Sequence, residues 1–103
     1  MTKKDLLGAY YLEKEIELLE EGKKQTYGAD RQKIAEKISE LTKKRQEILN
    51  FIMSIDDPQT RLIAELRCMR SLKWNAVADK IGGMNSEYTV KKRFYRFLEK
   101  VGA

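Results

Sequence analysis

Near the end of the chain, Ser86, Glu87, Tyr88, Lys91, Lys92, Tyr95 and Arg96 bring cations, hydroxyls and a carboxylate together at the spacing of a helix surface. They are what remains exposed when Val90, Phe94, Phe97 and Val101, with Leu98 at the edge, are assigned to a buried stripe. The chemistry such a set suits is polyanion recognition. Lys and Arg neutralise phosphates, and hydroxyls hydrogen-bond to them. A helix about 10 to 12 Å across also fits a B-DNA major groove, where its first turns reach base edges. Tyr88 and Lys91 are the candidates for reading bases, and Lys92 and Arg96 for holding phosphates. An ordinary amphipathic helix with a solvated basic face has the same composition. What favours groove binding is the segment before it. Val77 and Ile81 share a face with the small Ala78 beside them, Gly82 and Gly83 can take the left-handed backbone that ends a helix, and Ser86 or Asn85 can cap the next one.

Other chemistries are excluded by residue type. There is no histidine and a single cysteine, Cys68. Ser-His-Asp or Cys-His catalysis, imidazole metal sites, an intrachain disulfide and CxxC redox chemistry all fall away. The lone thiol reads as a small buried hydrophobe of a reducing compartment. Asp56 and Asp57 are adjacent carboxylates, but Pro58 follows them, so they read as a helix cap and dipole partner rather than an acid–base pair. No catalytic residue, metal ligand or cofactor is expected.

The elements that must position the basic face are helices. Of 103 residues, 36% are charged and 42% hydrophobic, with one proline and no regular strand-and-turn spacing, which predicts an all-α chain. The net charge of +5 is unevenly placed: Met1–Asp57 carries 11 basic and 12 acidic residues, Pro58–Ala103 carries 10 and 4. A polyanion-binding half joined to a charge-mixed scaffolding or self-associating half fits that asymmetry. Met1-Thr-Lys-Lys-Asp reaches charge before any apolar stretch, and Leu6–Leu12 is far shorter than the roughly 20 residues of a membrane span. A cytoplasmic protein without membrane contact is expected.

Thr2 and Asp5 form a shortened capping box ahead of a first helix whose Ala9, Leu12, Ile16 and Leu19 share one face. Gly22 and Gly28 bracket a reversal, and Asp30 is the expected cap of the second helix. That helix carries Ile34, Ile38, Leu41, Arg45, Ile48, Ile52 and Ile55 at alternating steps of 4 and 3, an apolar seam broken only at Arg45. The first helix can pack against it antiparallel. Two helices alone bury too little surface, so either the basic half or a second subunit must cover the rest. Ile34, Ile38, Leu41, Ile48 and Ile52 are therefore the candidates for joining two chains as a homodimer.

A third helix starting at Pro58 is expected to bury Leu62, Ile63 and Leu66, with Met69 as a further candidate, and to leave Arg61, Arg67 and Arg70 outside. Trp74 reads as the anchor of the short helix after it. Met53, Met69 and Met84 read as gap fillers, and Tyr10, Tyr11 and Tyr27 as packing or loop residues.

Residues from Asp57 to Lys100 resemble the helix-turn-helix of region 4 of bacterial sigma factors, and more closely the sigma-like regulators of phages and integrated elements, including the ArpU-like proteins. The resemblance rests on Arg61-Leu-Ile-Ala-Glu-Leu-Arg67, Trp74-x-x-Val-Ala78, the glycine turn, and Ser86-x-x-x-Val90 ending in Leu98. The Gly82-Gly-Met-Asn-Ser86 turn is longer than in the sigma type. Trp74-x-x-Val-Ala-x-x-Ile-Gly-Gly followed by Val-Lys-Lys-Arg-Phe is also similar to Myb/SANT repeats. The resemblance implies an antiparallel, coiled-coil-like hairpin over residues 1–56, a three-helix helix-turn-helix domain over residues 57–103, double-stranded DNA as partner and contact with a host RNA polymerase. The expected function is sequence-specific DNA binding by a phage or mobile-element transcription regulator. A small terminase-like packaging subunit and a protein-interaction module for an acidic partner are the competing readings.

Overall fold

Short-range signals set most helix boundaries in the computed structural model, which describes residues 1–103 and consists of helices and their connections, with no strand. Helix α1 (Lys3–Leu7) starts at the capping box: the Asp5 N–H donates to the Thr2 hydroxyl and the Thr2 N–H to the Asp5 carboxylate, both at 3.1 Å. Hydrogen bonding from Thr2, its backbone N–H first, holds the Asp5 carboxyl below the usual carboxylate range. The first helix does not run on unbroken. Gly8 separates α1 from α2 (Ala9–Lys23), where an added Cβ would sit 3.1 Å from the Lys4 carbonyl oxygen.

Helix α3 (Gly28–Met53) begins two residues before Asp30, which corrects the expected cap. Gly28, at φ +66°, turns the chain into the helix early; Tyr27 takes the cap position without a side-chain bond, and Asp30 lies in the first turn near the positive dipole end. Helix α4 (Pro58–Ala64) has Asp57 as cap and Pro58 in its first turn. It runs into a π-helical turn, Glu65–Met69, in which the Arg70 N–H reaches the Glu65 carbonyl at 3.3 Å. Widening the turn lets Leu66, Cys68 and Met69 all be buried. Ser71, at φ +55°, ends it in a conformation costly for a residue with a Cβ. Helices α5 (Trp74–Ile81) and α6 (Glu87–Lys100) follow, joined through Gly82 and Gly83 at φ +73° and +64°.

The core does not divide at residue 56. Leu6 and Ala9 from the start of the chain and Ile48, Ile52 and Ile55 pack in one cluster with Ile63, Leu66, Trp74, Val77, Val90, Phe94 and Leu98. Beyond this cluster α2 and the first half of α3 lie along each other as an arm, within a molecule of 55 × 26 × 18 Å. No helix is long and apolar enough to cross a membrane.

Several expected exposures change because the helices meet at angles a single-helix pattern does not contain. Leu41, Ile48 and Ile52 are buried within the chain itself, so they are not an interface between chains; Ile34 and Ile38 remain half-buried. Arg45 is half-buried with its guanidinium 3.6 Å from Glu13, and its Nε is buried without a partner. Leu62 is 44% exposed, whereas Arg61 and Arg67 turn inward, donating to the Ile55 and Leu72 carbonyls at 2.8 Å each. Of the methionines read as gap fillers only Met69 is buried; Met53 is half exposed and Met84 fully exposed. Val101 drops out of the α6 stripe and Leu98 enters it, because the helix ends just before Val101.

Candidate nucleic-acid interface

Helix α6 is fixed at its start and along its inner stripe. At its start the Thr89 N–H donates to the Ser86 hydroxyl at 3.1 Å, and the two hydroxyls lie 2.9 Å apart. Ser86 thus acts as the cap. Asn85 holds the turn instead, its side-chain amide donating to the Gly82 carbonyl at 3.1 Å. Along the inner stripe Val90, Phe94 and Leu98 are buried, and Phe94 stacks at a tilt on Trp74 with ring centroids 5.5 Å apart. Trp74 is capped in turn by the Arg67 guanidinium, 4.8 Å from its ring centroid. Trp74 is therefore a core anchor whose open side is covered by a cation.

On the outer side Glu87, Tyr88, Lys91, Lys92 and Arg96 are exposed. Tyr88, Thr89, Lys92, Arg93 and Arg96 line one shallow concave surface. Thr89, Lys92 and Arg96 recur at steps of 3 and 4, directly away from Val90, Phe94 and Leu98, and Lys91 lies on the flank. The Lys92 ammonium leans over the Tyr88 ring at 5.5 Å. Lys91, Lys92, Arg96 and Lys100 make no ion pair; among the α6 cations only Arg93 does, with Asp57 at 3.5 Å. Unpaired cations on one rigid face are the arrangement that exchanges condensed counterions for protein contacts on a polyanion.

No family model, curated protein or solved structure matches the chain.

Tyr95 is the one member of the expected set that the fold takes away from the exposed face. It is half-buried, with its ring centroid 6.0 Å from that of Trp74, and Lys3 from the start of the chain lies 4.4 Å over it. Helical spacing puts Tyr95 at the stripe's margin, and the arrival of α1 and α5 there covers it. Thr89 and Arg93 lie outside the seven residues that the helical spacing singles out, yet both line the concave surface. Arg93 adjoins the buried Phe94 in sequence, but its own stripe, with Thr89 and Lys100 at steps of 4 and 7, is exposed. Lys3 had no signal at all, since nothing local ties residue 3 to residue 95.

Proposed function

We propose that the chain is a sequence-specific double-stranded DNA-binding protein that regulates transcription, with α6 entering the major groove. In this reading α5, the Gly82–Asn85 turn and α6 act as a helix-turn-helix supported by α4, and α2 with α3 forms an antiparallel hairpin projecting from it. The observation that carries the reading is the polarity of α6: Val90, Phe94 and Leu98 hold it to the core while unpaired Lys92 and Arg96 point the other way, beside exposed Tyr88 and Thr89. A face of this kind meets phosphates with its cations and leaves hydroxyl and aromatic groups for base edges. The resemblance of residues 57–100 to sigma-like regulators, ArpU-like proteins among them, supplies the regulatory role and a host RNA polymerase as second partner.

The test is a titration of selected and scrambled duplexes across salt concentrations. Each phosphate contact on duplex DNA contributes a slope of roughly −0.9 in log K against log[salt]. A slope of several such contacts together with tighter binding to the selected duplex is expected. Equal affinity for every duplex at every salt concentration would leave only a solvated basic surface and overturn the reading.

A further inference from the structure

The arm contains no fully buried side chain between residues 10 and 40. Along it α2 packs on α3, and Leu12, Ile16 and Leu19 of α2 and Ile34 and Ile38 of α3 all stay half-exposed. Two helices shield a shared seam from two directions only, and helical proteins usually close such a seam with further helices.

What the uncovered side presents is specific. On α2, Tyr11 and Leu18 are 68% and 67% exposed, seven residues apart with Glu15 between them, and form one stripe. On α3, Lys33, Lys37 and Lys44 recur at steps of 4 and 7 as a second exposed stripe. Glu13 and Arg45 pair across the opposite edge of the arm, so both stripes border the same open side. The charges of the helices are opposed: Ala9–Lys23 holds 5 acidic and 2 basic residues, Gly28–Met53 holds 4 acidic and 6 basic.

We infer that this side of the arm docks a second copy of the chain, with α2 of each copy lying against α3 of the other. Exposed apolar groups on an acidic helix, beside a longer basic helix, form a self-complementary surface, and a two-fold axis uses both halves of it twice. Tyr11 and Leu18 would lie on the aliphatic stems of the partner's Lys33 and the partner's Lys37, and Glu15 would meet their ammonium groups. The half-open seam becomes the centre of a four-helix assembly. This inference goes beyond DNA binding and stands or falls without it.

Sedimentation equilibrium of the full chain decides the matter. The wild type is expected to dimerise in the micromolar range, and Leu18→Glu to be monomeric there with unchanged helical circular dichroism, since Leu18 is exposed, and with a urea midpoint that no longer rises with protein concentration as the wild type's does. Glu15→Lys, and separately Lys33→Glu with Lys37→Glu, are each expected to weaken self-association by about tenfold or more, and an equimolar mixture of the two variants to recover dimers. A wild type that stays monomeric, or a Leu18→Glu variant that still dimerises, overturns the docking surface. Swapped variants that fail to pair when mixed overturn the α2-against-α3 arrangement.

Discussion

The Asp57 carboxylate stands 3.5 Å from the Arg93 guanidinium and thereby ties the start of α4 to the exposed side of α6. The same carboxylate accepts the Thr60 N–H at 2.9 Å and the Thr60 hydroxyl at 2.6 Å. One side chain thus caps a helix and orients its neighbour. It also neutralises one cation of α6, whereas Lys91, Lys92, Arg96 and Lys100 stay unpaired.

The hydrogen bonds from the Thr60 hydroxyl and N–H, with Arg93 adding to them, hold the Asp57 carboxyl below the usual carboxylate range, as bonds from Thr2 do for Asp5. A carboxyl lowered in the folded state contributes stability that is complete above its unfolded value, about 3.9, and is lost as pH falls through the folded value. Urea midpoints are expected to be flat from about pH 5 to 8, where no histidine titrates, and to fall below about pH 4. Asp57→Asn keeps a good capping group and is expected to flatten the acid limb, whereas Asp57→Ala lowers the midpoint at every pH.

Ile48 and Phe94 are fully buried in one cluster that joins both ends of the sequence. Phe94→Ala is expected to cost about 3–5 kcal/mol, a large share of the roughly 5–15 kcal/mol of a typical domain. Ile48→Asp places a charge in the same core and is expected to unfold the chain rather than release folded monomers. Leu62→Ser, on an exposed position, is expected to stay within about 0.5 kcal/mol of wild type. Urea denaturation of the three variants checks the ranking.

On α6, Arg96→Ala and Lys92→Ala are expected to weaken all duplexes alike and to reduce the salt slope by about 0.9 each, because both cations are unpaired on the outermost stripe. Arg93→Ala is expected to have a smaller effect, since Asp57 already partners it. Tyr88→Ala and Lys91→Ala are expected to alter the preferred sequence, each good base contact being worth about 1–3 kcal/mol of discrimination. Binding-site selection that returns the wild-type consensus for both variants would remove them from base reading.

Cys68 is fully buried, and burial pushes its thiol up to about 12 against a smaller opposing effect of Arg67. Neither access nor a thiolate exists in the folded chain at neutral pH. Alkylation by iodoacetamide at pH 8 is expected to be negligible over the time that labels the urea-unfolded chain completely, as read by mass spectrometry. Rapid labelling of the native protein would mean that the α4–α5 region opens.

Much of the helical framework was legible because its signals act within a few residues. Thr2 with Asp5, Asp57 before Pro58, Gly82-Gly83 and Ser86 each act locally, and each sits at a helix end as its residue type predicts. Asp30 failed as a cap for a local reason as well: Gly28 supplied a positive φ that let α3 start earlier. The π-helical turn at Glu65–Met69 had no such signal, because it answers to the burial of Leu66, Cys68 and Met69 together.

The sequence by itself determined that this is a helical chain with its excess positive charge in the second half and a last helix polar on one side and apolar on the other. Periodicity and capping are properties of a single helix, and they survive whatever the helix packs against. Only the tertiary structure decided which marginal residues are covered. Ile48 and Ile52 belong to the core because residues distant in sequence, Leu6 and Phe94 among them, join them in one buried cluster. Tyr95 leaves the exposed face because Trp74 approaches from one helix and Lys3 from another. Contacts between residues so far apart in sequence depend on how helices cross, and no local pattern encodes the crossing.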